Sequence, residues 1–150
     1  MARKSHGGSC FWGKIVRFLI GMVLTVAAIS PAGAGDRFDG KWKTVVMCEN
    51  LPGTMGYVYK FDSVVKDSVL HGEKGTKGKA GWFQLDGKIL PDGSADIMAD
   101  GLVGASETAV GHRPAKTEYA YRIDAKFSGD SGTGKRVEGR ACAVTFAREH

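Results

Sequence analysis

From residue 42 onward the chain alternates apolar and polar positions with a period of two. Trp42, Thr44, Val46 and Cys48 face one way and Lys41, Lys43, Val45 and Glu49 the other, the signature of a half-buried strand. Tyr57, Tyr59, Phe61 and Val65 alternate in the same manner with Lys60, Asp62 and Lys66, and a turn near Asp67-Ser68 leads into Val69-Leu70. The clearest hairpin follows. In Leu90-Pro91-Asp92-Gly93, Pro fixes φ, Asp offers an Asx-type bond and Gly takes the left-handed position of a bulged three-residue loop. This loop sets Ile89 opposite Ala95, Leu85 opposite Ala99 and Phe83 opposite Gly101, so the apolar sides of both strands coincide. Tyr119, Tyr121, Ile123, Ala125 and Phe127 alternate with Glu118, Arg122, Asp124 and Lys126, and a last strand is read from 135 to 148. Helical periodicity is lacking after residue 34, so the chain is all-β.

Seven strands are read in this way. The glycine-rich Ser128–Gly134 stretch between the last two is expected to be a mobile loop. If Cys48 faces Cys142 on antiparallel neighbours, Val46 meets Val144, Thr44 meets Phe146 and Trp42 meets Arg148. An antiparallel first-to-last contact in an up-and-down sheet requires an even number of strands, and 104–113 is the expected place of the eighth. The alternative is a parallel register, which sets Trp42 against Arg136 and keeps seven strands. Antiparallel closure is favoured because closed barrels made of hairpins are antiparallel.

The N-terminal segment changes the reading of charge and cysteines. Arg3, Lys4, Lys14 and Arg17 precede the apolar run Phe18 to Ile29, and small residues through Ala32-Gly33-Ala34 follow it. This pattern predicts a helical signal peptide over 1–34, too short in its apolar run for a spanning helix, and a barrel domain over 35–150. The chain's net charge of +5 belongs mostly to that segment, since residues 35–150 hold 17 Lys+Arg against 16 Asp+Glu. A basic nucleic-acid footprint is thereby excluded, and no stable membrane association is expected after cleavage. Cys10 leaves with the signal, and the remaining pair, Cys48 and Cys142, is expected to form one disulfide in a periplasmic or secreted protein.

Gly40-Lys41-Trp42 at the start of the first strand, with Arg148 near the end of the last, resembles the calycins, the lipocalin and avidin group of small exported barrels. The chain from Phe38 onward also resembles uncharacterised exported proteins of proteobacteria. The resemblance implies a single antiparallel up-and-down barrel of about eight strands, closed at one end by Trp42 under Arg148. It departs from typical lipocalins in its short length, so an avidin-sized barrel is the nearer comparison.

Chemistry is sparse by comparison. Gly72 to Gly81 is basic and glycine-rich, but five residues separate Gly72 from Gly78 and Ala80 follows Lys79, which breaks the spacing of a phosphate-binding loop. His71, His112 and His150 stand at no metal-ligand spacing, so no metal or cofactor is expected. No nucleophile is set beside a base, and an enzyme is therefore not expected. The aromatic set is more informative, because Tyr57, Tyr59, Phe61, Tyr119, Tyr121 and Phe127 share the inward faces of two strands. An eight-stranded interior is either just filled by side chains or holds one small ligand. Tyr59 and Tyr121 are the leading candidates to line such a site, with Trp82, His112 and Arg113 as further candidates. The expected role is non-catalytic binding of a small molecule, and the alternative is a protein-binding module such as an inhibitor of an extracellular hydrolase.

Overall fold

A computed structural model describes residues 36–150, and the predicted signal segment lies outside them. The described chain is a closed eight-stranded antiparallel barrel with each strand paired to the next and the last to the first. The strands are β1 (Gly40–Cys48), β2 (Tyr57–Lys66), β3 (Val69–Lys74), β4 (Phe83–Ile89), β5 (Ser94–Leu102), β6 (Glu118–Ser128), β7 (Ser131–Arg136) and β8 (Cys142–Arg148). This is the architecture implied by the calycin resemblance.

Closure follows the antiparallel register. Trp42 pairs with Arg148, Thr44 with Phe146, Val46 with Val144 and Cys48 with Cys142. The two cysteines are disulfide-bonded across 94 positions of sequence. The β4–β5 hairpin has Ile89 opposite Ala95, Leu85 opposite Ala99 and Phe83 opposite Gly101. Its turn is built from the residue types that the turn chemistry requires: Gly93 has φ of +87°, and the Ser94 amide donates to Asp92 Oδ1 at 2.9 Å.

Two expectations are corrected. The eighth strand is not at 104–113, which is a loop with a short 3-10 turn at Ser106–Thr108. It is β7, most of which falls in the stretch read as a mobile loop. Ser128 and Ser131 instead close a tight hairpin, and the strand read over 135–148 divides into the end of β7, a turn and β8. The physical reason lies in the inward positions of β7, which are Gly132, Gly134 and Arg136 and include no apolar side chain. A Cβ on Gly132 would come within 2.8 Å of Phe127 Cδ1, so the ring of the neighbouring strand occupies the space that a β7 side chain would fill. Such a strand carries no apolar alternation and is held by its backbone ladders to β6 and β8.

The barrel has two unlike ends. At the end where β1 starts, Phe38, Trp42, Phe127 and Phe146 form a buried aromatic plug. Trp42 Nε1 donates to the Phe38 carbonyl at 2.9 Å, and the Arg148 guanidinium lies 4.9 Å from the Trp42 ring centre. Arg148 also donates to the Asp39 and Arg37 carbonyls at 2.6 and 2.7 Å, and its Nε stands 3.0 Å from Asp130. Above this plug the interior is filled by Val46, Leu70, Leu85, Ile97, Ile123 and Val144, all buried. The polar Thr44 and Ser63 are also buried and hydrogen-bond each other. The opposite end, where β1 stops at Cys48, is the mouth.

Candidate functional site

All four tyrosines of the chain meet at the mouth. They come from β2 and β6, which stand four strands apart in an eight-stranded ring and so face each other across the interior. Period-two alternation puts Tyr57 and Tyr59 on the inner face of β2, and Tyr119 and Tyr121 on that of β6. The rings form one cluster around Phe83. Tyr57 and Tyr59 are 4.6 Å apart, Tyr119 and Tyr121 are stacked at 6.2 Å, and Phe83 lies 5.4 Å from Tyr59 and 6.3 Å from Tyr121. Gly101 makes room for this packing, because a Cβ there would come within 2.5 Å of Tyr119 Cζ and Oη.

A pocket of about 330 Å³ opens over the cluster. Its apolar wall is Val103, Ala109 and Val110, its aromatic floor is Tyr57 and Tyr119, and its charged side chains are Arg113, Arg136, Arg140 and Glu118. Tyr59 and Tyr121 sit one layer beneath, as the period of the strand requires. Arg113 lies in the 103–117 loop and reaches the Glu118 carbonyl at 3.4 Å. His112, in the same loop, is exposed with φ of +51° and does not line the pocket. Trp82 is buried on the outer side of the same end, where its Nε1 donates to Glu73 Oε1 at 2.5 Å. It lines a separate open groove with Gln84, Asp100 and Tyr119.

Two arginines outside the apolar pattern complete the site. Arg136 ends β7 and places its guanidinium 4.1 Å from the Tyr121 ring centre. Arg140 is only 4% exposed. Its fork donates to the Thr108 carbonyl at 3.0 Å and the Met55 carbonyl at 3.1 Å, tying together the three loops that form the rim. The Met55 amide adds a bond to the Glu107 carbonyl at 2.8 Å. Arg140 stands two residues before Cys142, and the disulfide register is the sequence signal from which its place at the mouth could have been found.

The electrostatics follow from burial. Desolvation pushes the hydroxyl pKa values of Tyr119 and Tyr121 well above the usual phenol range, with Tyr57 as the next cause. Tyr59 is raised for the same first reason. These hydroxyls therefore remain neutral and can donate or accept hydrogen bonds, but none is poised as a base or nucleophile near neutral pH. Tyr121 is 1% exposed. Its Oη is buried without a hydrogen-bond partner. Arg140 Nε is buried and unpartnered too. Among the described residues, no three His, Cys, Asp or Glu side chains gather as a metal site. No family model, no curated protein and no solved structure matches the chain.

Proposed function

We propose that this protein is an exported, calycin-like barrel that binds a small molecule non-catalytically at its mouth. One observation carries the reading. A pocket of about 330 Å³ is floored by tyrosines and rimmed by an almost fully buried arginine whose Nε has no partner. Burying a polar or charged group without a partner costs about 1–3 kcal/mol, so such groups are concentrated where a ligand supplies the missing bond. The barrel below is packed with side chains, which supports a site over Tyr57 and Tyr119 rather than in the middle of the barrel. The disulfide is in keeping with an oxidising compartment, and among the described residues no helix is long and apolar enough to cross a membrane.

The test is an NMR titration of the disulfide-bonded protein with a small-molecule extract of its own compartment. Ring resonances of Tyr57 and Tyr119 should shift while those of Phe127 and Phe146, at the far end, stay fixed. Uniform or absent shifts would remove the reading. One feature favours the second reading, a protein-binding module such as an inhibitor of an extracellular hydrolase. Met47 and Val58 are cross-strand partners on the outer face and are 54% and 51% exposed. If that strip carries the function, Met47→Lys abolishes partner capture and leaves the mouth resonances unchanged.

A further inference from the structure

The mouth has an unbalanced charge of a particular kind. Its lining carries three guanidiniums, Arg113, Arg136 and Arg140, and one carboxylate, Glu118. Elsewhere on the barrel, Lys43 is paired with Asp62 and Glu149, Lys126 with Asp92 and Arg148 with Asp130, while the other lysines among the described residues, except the half-buried Lys74, are exposed. Among the described residues none of the three mouth arginines lies within ion-pair distance of a carboxylate. They are held by backbone carbonyls instead, Arg136 by that of Glu138 at 2.6 Å and Arg140 by those of Thr108 and Met55. A carbonyl satisfies an N–H but leaves the charge in place. Each guanidinium has five N–H groups, so most of those on Arg136 and Arg140 remain unspent.

Burial strengthens what the Arg140 charge can do, with Arg136 half-buried in the same pocket. A cation shielded from water attracts an anion more strongly than one on an open surface, and a planar fork matches the two oxygens of a carboxylate. The rest of the pocket is unsuited to a bare inorganic anion, since Val103, Ala109, Val110 and the tyrosine rings present apolar surface. A ligand complementary to both halves has one acidic group and a flat apolar body. We infer that the mouth takes a small organic anion of this class, its acidic group seated on Arg136 and Arg140 and its body on Tyr57 and Tyr119. This rests on the reading that the mouth binds a small molecule at all.

The experiment compares naphthoate with naphthamide, which share a flat body and differ in charge, by calorimetry and NMR on the disulfide-bonded protein. Naphthoate should bind about tenfold or more tightly than the amide, the weight of one charge-assisted hydrogen bond. Arg136→Gln should remove most of that preference and leave amide binding as it was. Arg140→Gln also loosens the rim loops, so Arg136→Gln is the deciding variant. Lys126→Gln, at the far end, should change nothing. Equal affinity for the two probes overturns the anion assignment and leaves small-molecule binding standing. An anion preference that survives Arg136→Gln overturns the assignment to this mouth. Failure of both probes to bind at millimolar concentration removes the mouth-binding reading with it.

Discussion

Replacing Tyr121 with Phe should make the ligand-free protein more stable, which is the reverse of the usual result for a fully buried residue. The ring is 1% exposed, packs against Tyr119 and Phe83 at 6.2 and 6.3 Å, and carries the Arg136 guanidinium 4.1 Å from its centre. Phe retains all of these contacts. The change removes one oxygen that is buried without a hydrogen-bond partner. Leaving such a group unsatisfied costs about 1–3 kcal/mol, and the missing oxygen gives back part of that in lost dispersion contacts. The net expectation is a gain of about 1 kcal/mol, or about 4 °C in Tm for a domain of this size. Urea and thermal melts of the wild type and the variant under non-reducing conditions measure it. A loss of more than about 1 kcal/mol would refute the reasoning, because that is the signature of a hydroxyl that was hydrogen-bonded. Tyr57→Phe then identifies the partner: if Tyr57 holds the Tyr121 hydroxyl, each single variant costs as much as the double.

High pH should unfold the barrel. The pKa values of Tyr119 and Tyr121 are raised by burial, so below the unfolded value near 10 they do not affect stability, and above it the unfolded chain sheds protons that the folded one keeps. Stability should fall by close to 3 kcal/mol per pH unit for the pair, seen as late tyrosinate absorbance that coincides with loss of circular dichroism. Complete tyrosine titration near pH 10 with the fold intact would contradict this. Replacing Cys48 and Cys142 together by Ala frees a loop spanning 94 positions and should cost about 4–5 kcal/mol in a denaturant melt. Gly101→Ala should push the Tyr119 ring off its seat, altering the mouth resonances and costing about 1–3 kcal/mol by overpacking. Arg148→Lys keeps the charge but loses the two-carbonyl fork over Trp42, and should cost about 2 kcal/mol in the same melts.

Much of the barrel could be read from the sequence because its strands alternate cleanly and two constraints fix their register. Leu90-Pro91-Asp92-Gly93 set one hairpin to the residue, and the cysteine pair set the closure. β7 was missed for a definite reason. Its inward positions are Gly132, Gly134 and Arg136, so the apolar pattern that marks a strand resides in Phe127 and Ile123 of the neighbour leaning over it. The segment 104–113 holds Ala105 and Val110 and so has some apolar pattern, yet it has no ladder on either side. At the site, tyrosine periodicity placed the right rings inward but did not tell which layer faces the pocket. Depth is set by where β2 and β6 begin, and that puts Tyr57 and Tyr119 at the opening. Arg136 shares the inner face of β7 with Gly132 and Gly134, but that face carries no apolar residue to reveal it, and Arg140, in a turn, has no periodic signal. Only closure of the barrel brings Arg140 to Met55, 85 positions away, and turns a charged turn residue into a buried one.

Native mass spectrometry of the disulfide-bonded protein, isolated without denaturation from its own compartment, tests small-molecule binding at the mouth most directly. The comparison is with Val110→Trp, a change at an exposed rim position that fills the opening without touching the packed interior. The wild type should carry a small-molecule adduct that Val110→Trp lacks, with both proteins equally folded by circular dichroism. An adduct of the same occupancy in both, or none in the wild type after incubation with compartment extract, would contradict the account.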